Sequence, residues 1–261
     1  MKKAIYTTVR DENVFLPIWL KHYSKFFAPE DIYVYDHLTT DGSVELAKQQ
    51  YKFNHIVLDY PLYSDFNWYT STTKNTQKEL LKKYDVVLYT EADEIVYHHS
   101  GLGNYIDAMT SDVASCNGYM ICHDRFIEPA LDVTKSILSQ RKYWTKDGCS
   151  DKTILSKVPL AWGHGFHSCI DTPEQPKGEG EFILSNPDPE LLLLHLHLID
   201  FNCALAKHMK TRTYVTSKTA LEKWHGWQGR IVGKNFETWF DLKWGEIPQL
   251  IPQELRIKDF I

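Results

Sequence analysis

Val86-Val87-Leu88-Tyr89-Thr90-Glu91-Ala92-Asp93-Glu94-Ile95-Val96 decides how the rest of the chain is read. Its first half is an unbroken apolar, β-branched and aromatic run, the pattern of a strand buried on both faces of a parallel sheet. Its second half places Glu91, Asp93 and Glu94 within four positions. Carboxylates so close repel one another, and burying even one of them without a partner is costly, so a cation or hydrogen-bond donors are expected here. A divalent metal is the simplest such partner; a solvated acidic turn after a strand is the plain alternative.

Upstream, residues 4–9 read as a buried strand closed by the polar Arg10-Asp11-Glu12-Asn13. Phe15, Ile18, Trp19, Tyr23, Phe26 and Phe27 keep helical spacing, with Pro17 tolerated in the first turn. Ile32-Tyr33-Val34-Tyr35 reads as a second strand that delivers Asp36 to its C-terminal end. Thr39-Thr40-Asp41-Gly42-Ser43 is a turn with an N-cap that opens a helix to about Tyr51, and a third strand covers His55 to Leu58. A polar helix over 67–83 returns the chain to Val86. The order β-α-β-α-β-α-β predicts a parallel sheet with right-handed crossovers. Ligands of such sheets bind beyond the carboxyl ends of the strands, where Arg10, Asp36 and the acidic cluster all fall.

Downstream, a short helix from Gly101 to about Met109 precedes a strand through Val113 to Cys122, ending in His123-Asp124-Arg125. Residues 128–150 read as an irregular, polar, acceptor-side loop. Ser150-Asp151-Lys152 leads on to Trp162-Gly163-His164-Gly165-Phe166-His167, and a breaker-rich segment follows over 171–189. Leu191 to Leu198 alternates, so His195 and His197 share one face if this is a strand. The tail beyond about 203 is helical and then Trp-rich, with Trp224, Trp227, Trp239 and Trp244.

A formal net charge of -5 gives no overall basic field and argues against a general nucleic-acid binder. The cysteines are odd in number and form no C-x-x-C pair, so neither a disulfide framework nor a cysteine zinc site is indicated. The first ten residues turn polar too soon for a signal peptide, no apolar run is long enough to span a bilayer, and N-x-S/T is absent. These features together point to a cytoplasmic location, with peripheral membrane contact left open. G-x-G-x-x-G and Walker A motifs are also absent; Gly229-Arg230-Ile231-Val232-Gly233-Lys234-Asn235 is one residue short and ends in Asn. Any nucleotide phosphates would therefore need a metal or Lys/Arg. Mg²⁺ and Mn²⁺ prefer carboxylate oxygen, and Mn²⁺ also accepts imidazole, so Asp93 with one of His195 or His197 would make such a site. A lone histidine is more often a hydrogen-bonded core residue, and His98-His99 reads as a surface pair.

Together these residues resemble the family 2-like glycosyltransferases of GT-A fold. The likeness is carried by Thr8-Val9-Arg10-Asp11-Glu12-Asn13 with Leu16-Pro17-Ile18-Trp19-Leu20 and His22-Tyr23, and by Asp36 with Thr40-Asp41-Gly42-Ser43. It continues in Glu91-Ala92-Asp93-Glu94 at the place of the DxD motif, Gly165-Phe166-His167, and Leu194-His195-Leu196-His197 with Asp200. The resemblance implies a single α/β domain: a nucleotide-sugar half over 1–115, an acceptor half over 116–203 and a helical tail over 204–261. It implies transfer of a sugar from a nucleoside diphosphate-sugar, a UDP-sugar first, to a glycan or other hydroxyl acceptor, with inversion preferred. Thr8, Arg10 and Asp36 would then line the nucleotide pocket. Glu91 would face the ribose or a metal-bound water, Asp93 would bind Mn²⁺ or Mg²⁺, and His197 or His195 would be the late histidine ligand. Glu91 departs from the Asp of most relatives, which puts its direct coordination in doubt. Asp151 is the first candidate base and Asp124 the second, both from chain order; Lys152 is a candidate to reach a phosphate, with a solvated lysine as the alternative, and His167 is a candidate to touch donor or acceptor. Trp224 and Trp227 are candidates to stack on an acceptor sugar, with core packing as the alternative. A metal-dependent phosphohydrolase or nucleotidyltransferase, and a non-catalytic sugar-nucleotide-binding protein, are the rival readings.

Overall fold

A computed structural model describes residues 1–62, 65–163, 166, 169–170, 187–222, 231, 233–242 and 248–257. The strands are β1 Lys3–Val9, β2 Ile32–Asp36, β3 Asn54–Val57, β4 Val86–Tyr89, β5 Glu94–Tyr97, β6 Val113–Cys122, β7 Tyr143–Lys146, β8 Thr153–Ser156, β9 Ala161–Trp162, β10 Cys169–Ile170, β11 Asp188–His195 and β12 Gln249–Leu250. The helices are α1 Phe15–Tyr23, α2 Ser43–Gln50, α3 Phe66–Leu80, α4 Leu102–Ala108, α5 Phe201–Thr211, α6 Lys218–Glu222, α7 Lys234–Leu242 and α8 Gln253–Ile257.

Among the described residues the main sheet runs β12-β7-β6-β8-β4-β1-β2-β3, with β11 pairing both β5 and β6. Its N-terminal part, β4-β1-β2-β3, is parallel throughout. β4 is wholly apolar and buried, and β1 buries five of its seven residues, as central strands of a covered sheet require. β8 enters antiparallel between β4 and β6, and β11 lies parallel to β6 and antiparallel to β5. The result is an α/β fold with a largely parallel central sheet flanked by helices.

Several elements depart from the sequence reading. The helix expected through Phe27 ends at Tyr23, and α2 starts after Gly42, whose φ of 76° favours glycine and which has no side chain with which to cap the helix. Residues 128–150 are not wholly irregular: Tyr143-Trp144-Thr145-Lys146 forms β7, antiparallel to β6, because Trp144 and Thr145 find burial there. The acidic stretch runs on into β5, which the sequence reading left unassigned. His98 is not a surface residue: it is 9% exposed, packed on Tyr105. β11 stops at His195, so His197 sits in the following turn rather than on the strand face. Trp224, Trp227 and Trp244 lie outside the described residues; Trp239 is on α7.

Gly118, in the middle of β6, permits a close backbone approach. A Cβ there would lie 2.3 Å from the Ser150 carbonyl carbon, so the 147–151 turn can rest on β6 only because residue 118 has no side chain. That turn is tied down by Gly118 N–H to Asp151 Oδ1 at 2.7 Å and Asp147 N–H to Gly118 O at 3.1 Å. Gly118→Ala is expected to lower unfolding stability by about 1–3 kcal/mol through overpacking, read as a lower urea midpoint at unchanged m-value.

Candidate metal and nucleotide site

Helix α1 fixes the acidic turn from behind. The Trp19 indole N–H donates to Thr90 Oγ1 at 2.7 Å; Tyr23 donates to the Glu94 carbonyl at 3.1 Å and accepts the Val96 N–H at 2.9 Å; His22 Nε2 meets the Val96 carbonyl at 2.9 Å. The apolar face that makes α1 a core helix thus also carries the hydrogen bonds that seat the turn between β4 and β5.

Within that turn the carboxylates divide. Glu94 N–H donates to the Glu91 carbonyl and Glu91 N–H to Glu94 Oε2, both at 3.0 Å, so these two side chains share one side. Lys152 lies between them, 3.0 Å from Glu91 Oε2 and bonded to Glu94 Oε1. Burial penalises the ammonium, but the two carboxylates outweigh it and hold Lys152 charged. Burial pushes the Glu94 carboxyl up; at the more open Glu91 it also opposes ionisation, yet Lys152 prevails and the carboxyl is held low. Lys152, a candidate for a phosphate, has a side chain that is instead 2% exposed and compensates the cluster from inside.

Asp93 faces the other way. Leu196 N–H donates to the Asp93 carbonyl at 2.7 Å, which docks the end of β11 on the acidic turn. Asp93 Oδ2 then lies 3.8 Å from His195 Nε2, 3.5 Å from His197 Nδ1 and 3.0 Å from Lys207 Nζ, and one ligand atom from each of Asp93, His195 and His197 falls within 4.8 Å of the others. Burial works against the Asp93 charge, but Lys207 and the two imidazoles outweigh it and hold the carboxyl well below the usual range. Lys207 also pairs with Glu12 Oε1 at 2.9 Å; burial still pushes the Glu12 carboxyl up to about 7. On His195 Nδ1 converge Ser150 Oγ at 3.2 Å and Asp147 Oδ2 at 3.9 Å. Burial disfavours the imidazolium, yet Asp147 and Asp93 raise His195 to about 10, whereas burial leaves His197 lowered. One carboxylate and two imidazoles form a donor set that suits Mn²⁺ and the later first-row ions better than Mg²⁺.

The residues read as a nucleotide pocket sit along the neighbouring strand ends. Thr8 is in register with Tyr35 and Val9 with Asp36 across β1 and β2. Asp36 accepts the Thr39 N–H at 2.8 Å and pairs with His55 at 3.0 Å. The Arg10 guanidinium lies over the Tyr214 ring at 4.5 Å. Asp11, with a positive φ of 59°, accepts the N–H groups of Thr40 at 2.6 Å and Asp41 at 3.0 Å, and the Tyr214 hydroxyl. Beside these ends Tyr60 stacks on Trp68 at 4.1 Å, with the His37 ring 4.8 Å from Trp68.

Of the two candidate bases, Asp151 belongs to the turn that carries Ser150 to His195; its Oδ1 accepts the Gly118 N–H and pairs with Lys146. Asp124 turns back on its own loop, accepting the Phe126 N–H at 3.1 Å. His167 lies outside the described residues. Sequence reading missed Glu12 as a site residue, and also Asp147, Ser150 and the α5 lysines. A signal for α5 existed: Asp200 caps it by accepting the Asn202 and Cys203 N–H groups, and Lys207 and Lys210 recur three apart on one face.

No family model and no curated protein matches the chain. Solved structures do match it, at low identity. S. aureus TarS (residues 1–349) in complex with UDP is 14% identical, with a TM-score of 0.31 over 55% of this chain and 40% of that one. Glucosyl-3-phosphoglycerate synthase from Mycobacterium tuberculosis, in complex with Mn²⁺, UDP and glucosyl-3-phosphoglycerate, is 12% identical, with a TM-score of 0.33 over 46% and 44%. A cytidylyltransferase from Leptospira borgpetersenii is 10% identical, with a TM-score of 0.31 over 47% and 54%. The chain thus spans about half the length of each of these structures.

Lys152→Met leaves the Glu94 carboxylate, 0% exposed, without its counter-ion and is expected to cost about 3–5 kcal/mol near pH 8. A carboxyl whose folded pKa is raised destabilises more as pH rises and less once it is protonated, so chemical denaturation should show the deficit shrinking toward pH 5. Adding Glu94→Gln should recover part of it.

Proposed function

We propose that this protein is a metal-dependent glycosyltransferase that moves a sugar from a nucleoside diphosphate-sugar, UDP-sugars first, to an acceptor hydroxyl. One observation carries the reading: Asp93, His195 and His197 converge within 4.8 Å at the carboxyl edge of a parallel sheet whose next strand ends present Thr8, Arg10 and Asp36. In this reading Asp93, His195 and His197 hold Mn²⁺ or Mg²⁺, and the donor set favours Mn²⁺. When bound, the ion offsets the charge that grows on the departing diphosphate. Thr8, Arg10 and Asp36 hold the nucleoside, with the Tyr60–Trp68 stack beside them as a surface for its base, and Glu91, the more exposed of the turn's glutamates, faces the ribose. Lys207, the more open of the two lysines that compensate the cluster, is the protein's own cation on the diphosphate side.

Asp151 takes the acceptor proton as the acceptor oxygen bonds to the anomeric carbon; the bond from that carbon to the diphosphate oxygen breaks, and its electron pair leaves with the diphosphate. Attack from the face opposite the leaving group inverts the anomeric centre. His167 remains a candidate for contact with donor or acceptor, and Asp124 is the second candidate base.

A panel of nucleotide sugars and nucleoside triphosphates, followed by thermal shift with and without Mn²⁺, tests the donor and the metal together. The expected result is a Mn²⁺-dependent rise in melting temperature with one sugar nucleotide and none with triphosphates, abolished by Asp93→Asn. An equal response to triphosphates would transfer the site to nucleotidyl transfer or phosphate hydrolysis. Asp151→Asn should keep the donor-induced shift and lower the turnover rate by roughly 10²–10⁴-fold, the usual weight of a general base. Full turnover in that variant would remove Asp151 from the role.

A further inference from the structure

The β5–β11 pair carries one group of ligating side chains at each end. Glu94 faces His195 at the end that holds Asp93, and Tyr97 faces Leu192 toward the other. Beyond Tyr97, His98 and His99 meet Glu190 from the start of β11, and one ligand atom from each lies within 4.8 Å of the others. His98 Nε2 and His99 Nδ1 are each 3.8 Å from Glu190 Oε2. At ~3.3 Å per residue, the five residues from Glu190 to His195 set this group roughly 15 Å from the site described above.

We propose that His98, His99 and Glu190 form a second metal site, for Zn²⁺ or a similar late first-row divalent ion. Two imidazoles and one carboxylate are the ligands of such ions, whereas Mg²⁺ and Ca²⁺ ask for oxygen throughout. Zinc ligands at ~2.1 Å stand about 3.3 Å from one another in a tetrahedron, so the existing separations close with small side-chain movements. The ligands are also oriented. His98 Nδ1 lies 2.8 Å from Ser100 Oγ and accepts the Ser100 N–H at 3.3 Å, and the His98 ring packs against those of His99 at 4.3 Å and Tyr105 at 4.7 Å, which leaves Nε2 on the Glu190 side. Asp188 secures the other side: it accepts the Glu190 N–H at 2.9 Å and the Tyr105 hydroxyl at 3.0 Å. An ion there clips the turn after β5 to the first residues of β11, the strand whose far end carries His195 and His197. The inference is independent of the glycosyl-transfer reading.

Zn²⁺ titrated alone into the full chain, followed by calorimetry and thermal shift, tests it. His99 and Glu190 are 61% and 65% exposed, so His99→Gln and Glu190→Gln should leave the metal-free melting curve unchanged. In an Asp93→Asn/His195→Gln background one equivalent of Zn²⁺ should still bind, and either change should weaken it by at least tenfold. Ser100→Ala should weaken it by roughly 10-fold or more, as loss of a ligand-orienting partner does. In the unaltered chain Glu190→Gln should remove one of two bound equivalents. Zn²⁺ binding that neither His99→Gln nor Glu190→Gln alters, or no Zn²⁺ bound in the double-variant background, overturns the proposal.

Discussion

Glu12, Glu91, Asp93 and Glu94 converge at the carboxyl ends of β1 and β4, and two ammonium groups make that convergence tolerable. Lys152 neutralises the inner pair and Lys207 the outer one. Neither lysine is near the acidic turn in sequence: Lys152 precedes β8 and Lys207 lies on α5. An unpaired buried carboxylate would cost several kcal/mol, so the second half of the chain must fold back over the first for the sheet edge to be stable. Charge compensation is therefore what joins the parallel half to the rest.

The two lysines differ in what they leave open. Lys152 is sealed between Glu91 and Glu94, and its work is structural. Lys207 shares Asp93 with His195 and His197, the candidate metal ligands. Its helix is held firmly. Asp200 caps α5, accepts the Leu131 N–H at 2.8 Å and pairs with the fully buried Arg141 at 3.2 Å, while Lys210 reaches Asp41 at 2.9 Å. One face of α5 thus closes over the strand ends of β1 and β2 at the place a diphosphate would occupy in the proposed reaction.

His195 shows how far a site depends on distant segments. Its orientation comes from Asp93 on one nitrogen and from Asp147 and Ser150 on the other, and the latter two reach it because Gly118 lets their turn lie flat on β6. A glycine inside a strand pattern is a readable sign of close backbone approach, though it does not say what approaches. The segment over 128–150 reads as loop because its only strand is four residues long and depends on burying Trp144 against the rest of the core.

By itself the sequence determined the alternating order of strands and helices to β4, and the clustering of carboxylates at the fourth strand's mouth. Both are local: periodicity over a few residues, and like charges too close to be neighbours without a cation. It also pointed to Asp93 with one of His195 or His197, from ligand chemistry and from resemblance. Only the tertiary structure decided which lysine met which carboxylate, that Lys152 turned inward, that β5 paired with β11, and that Asp147, Glu12 and Lys207 joined the group. Those outcomes depend on pairings across more than forty residues, where no sequence period operates and the requirement to neutralise buried charge selects among the partners of the carboxylates.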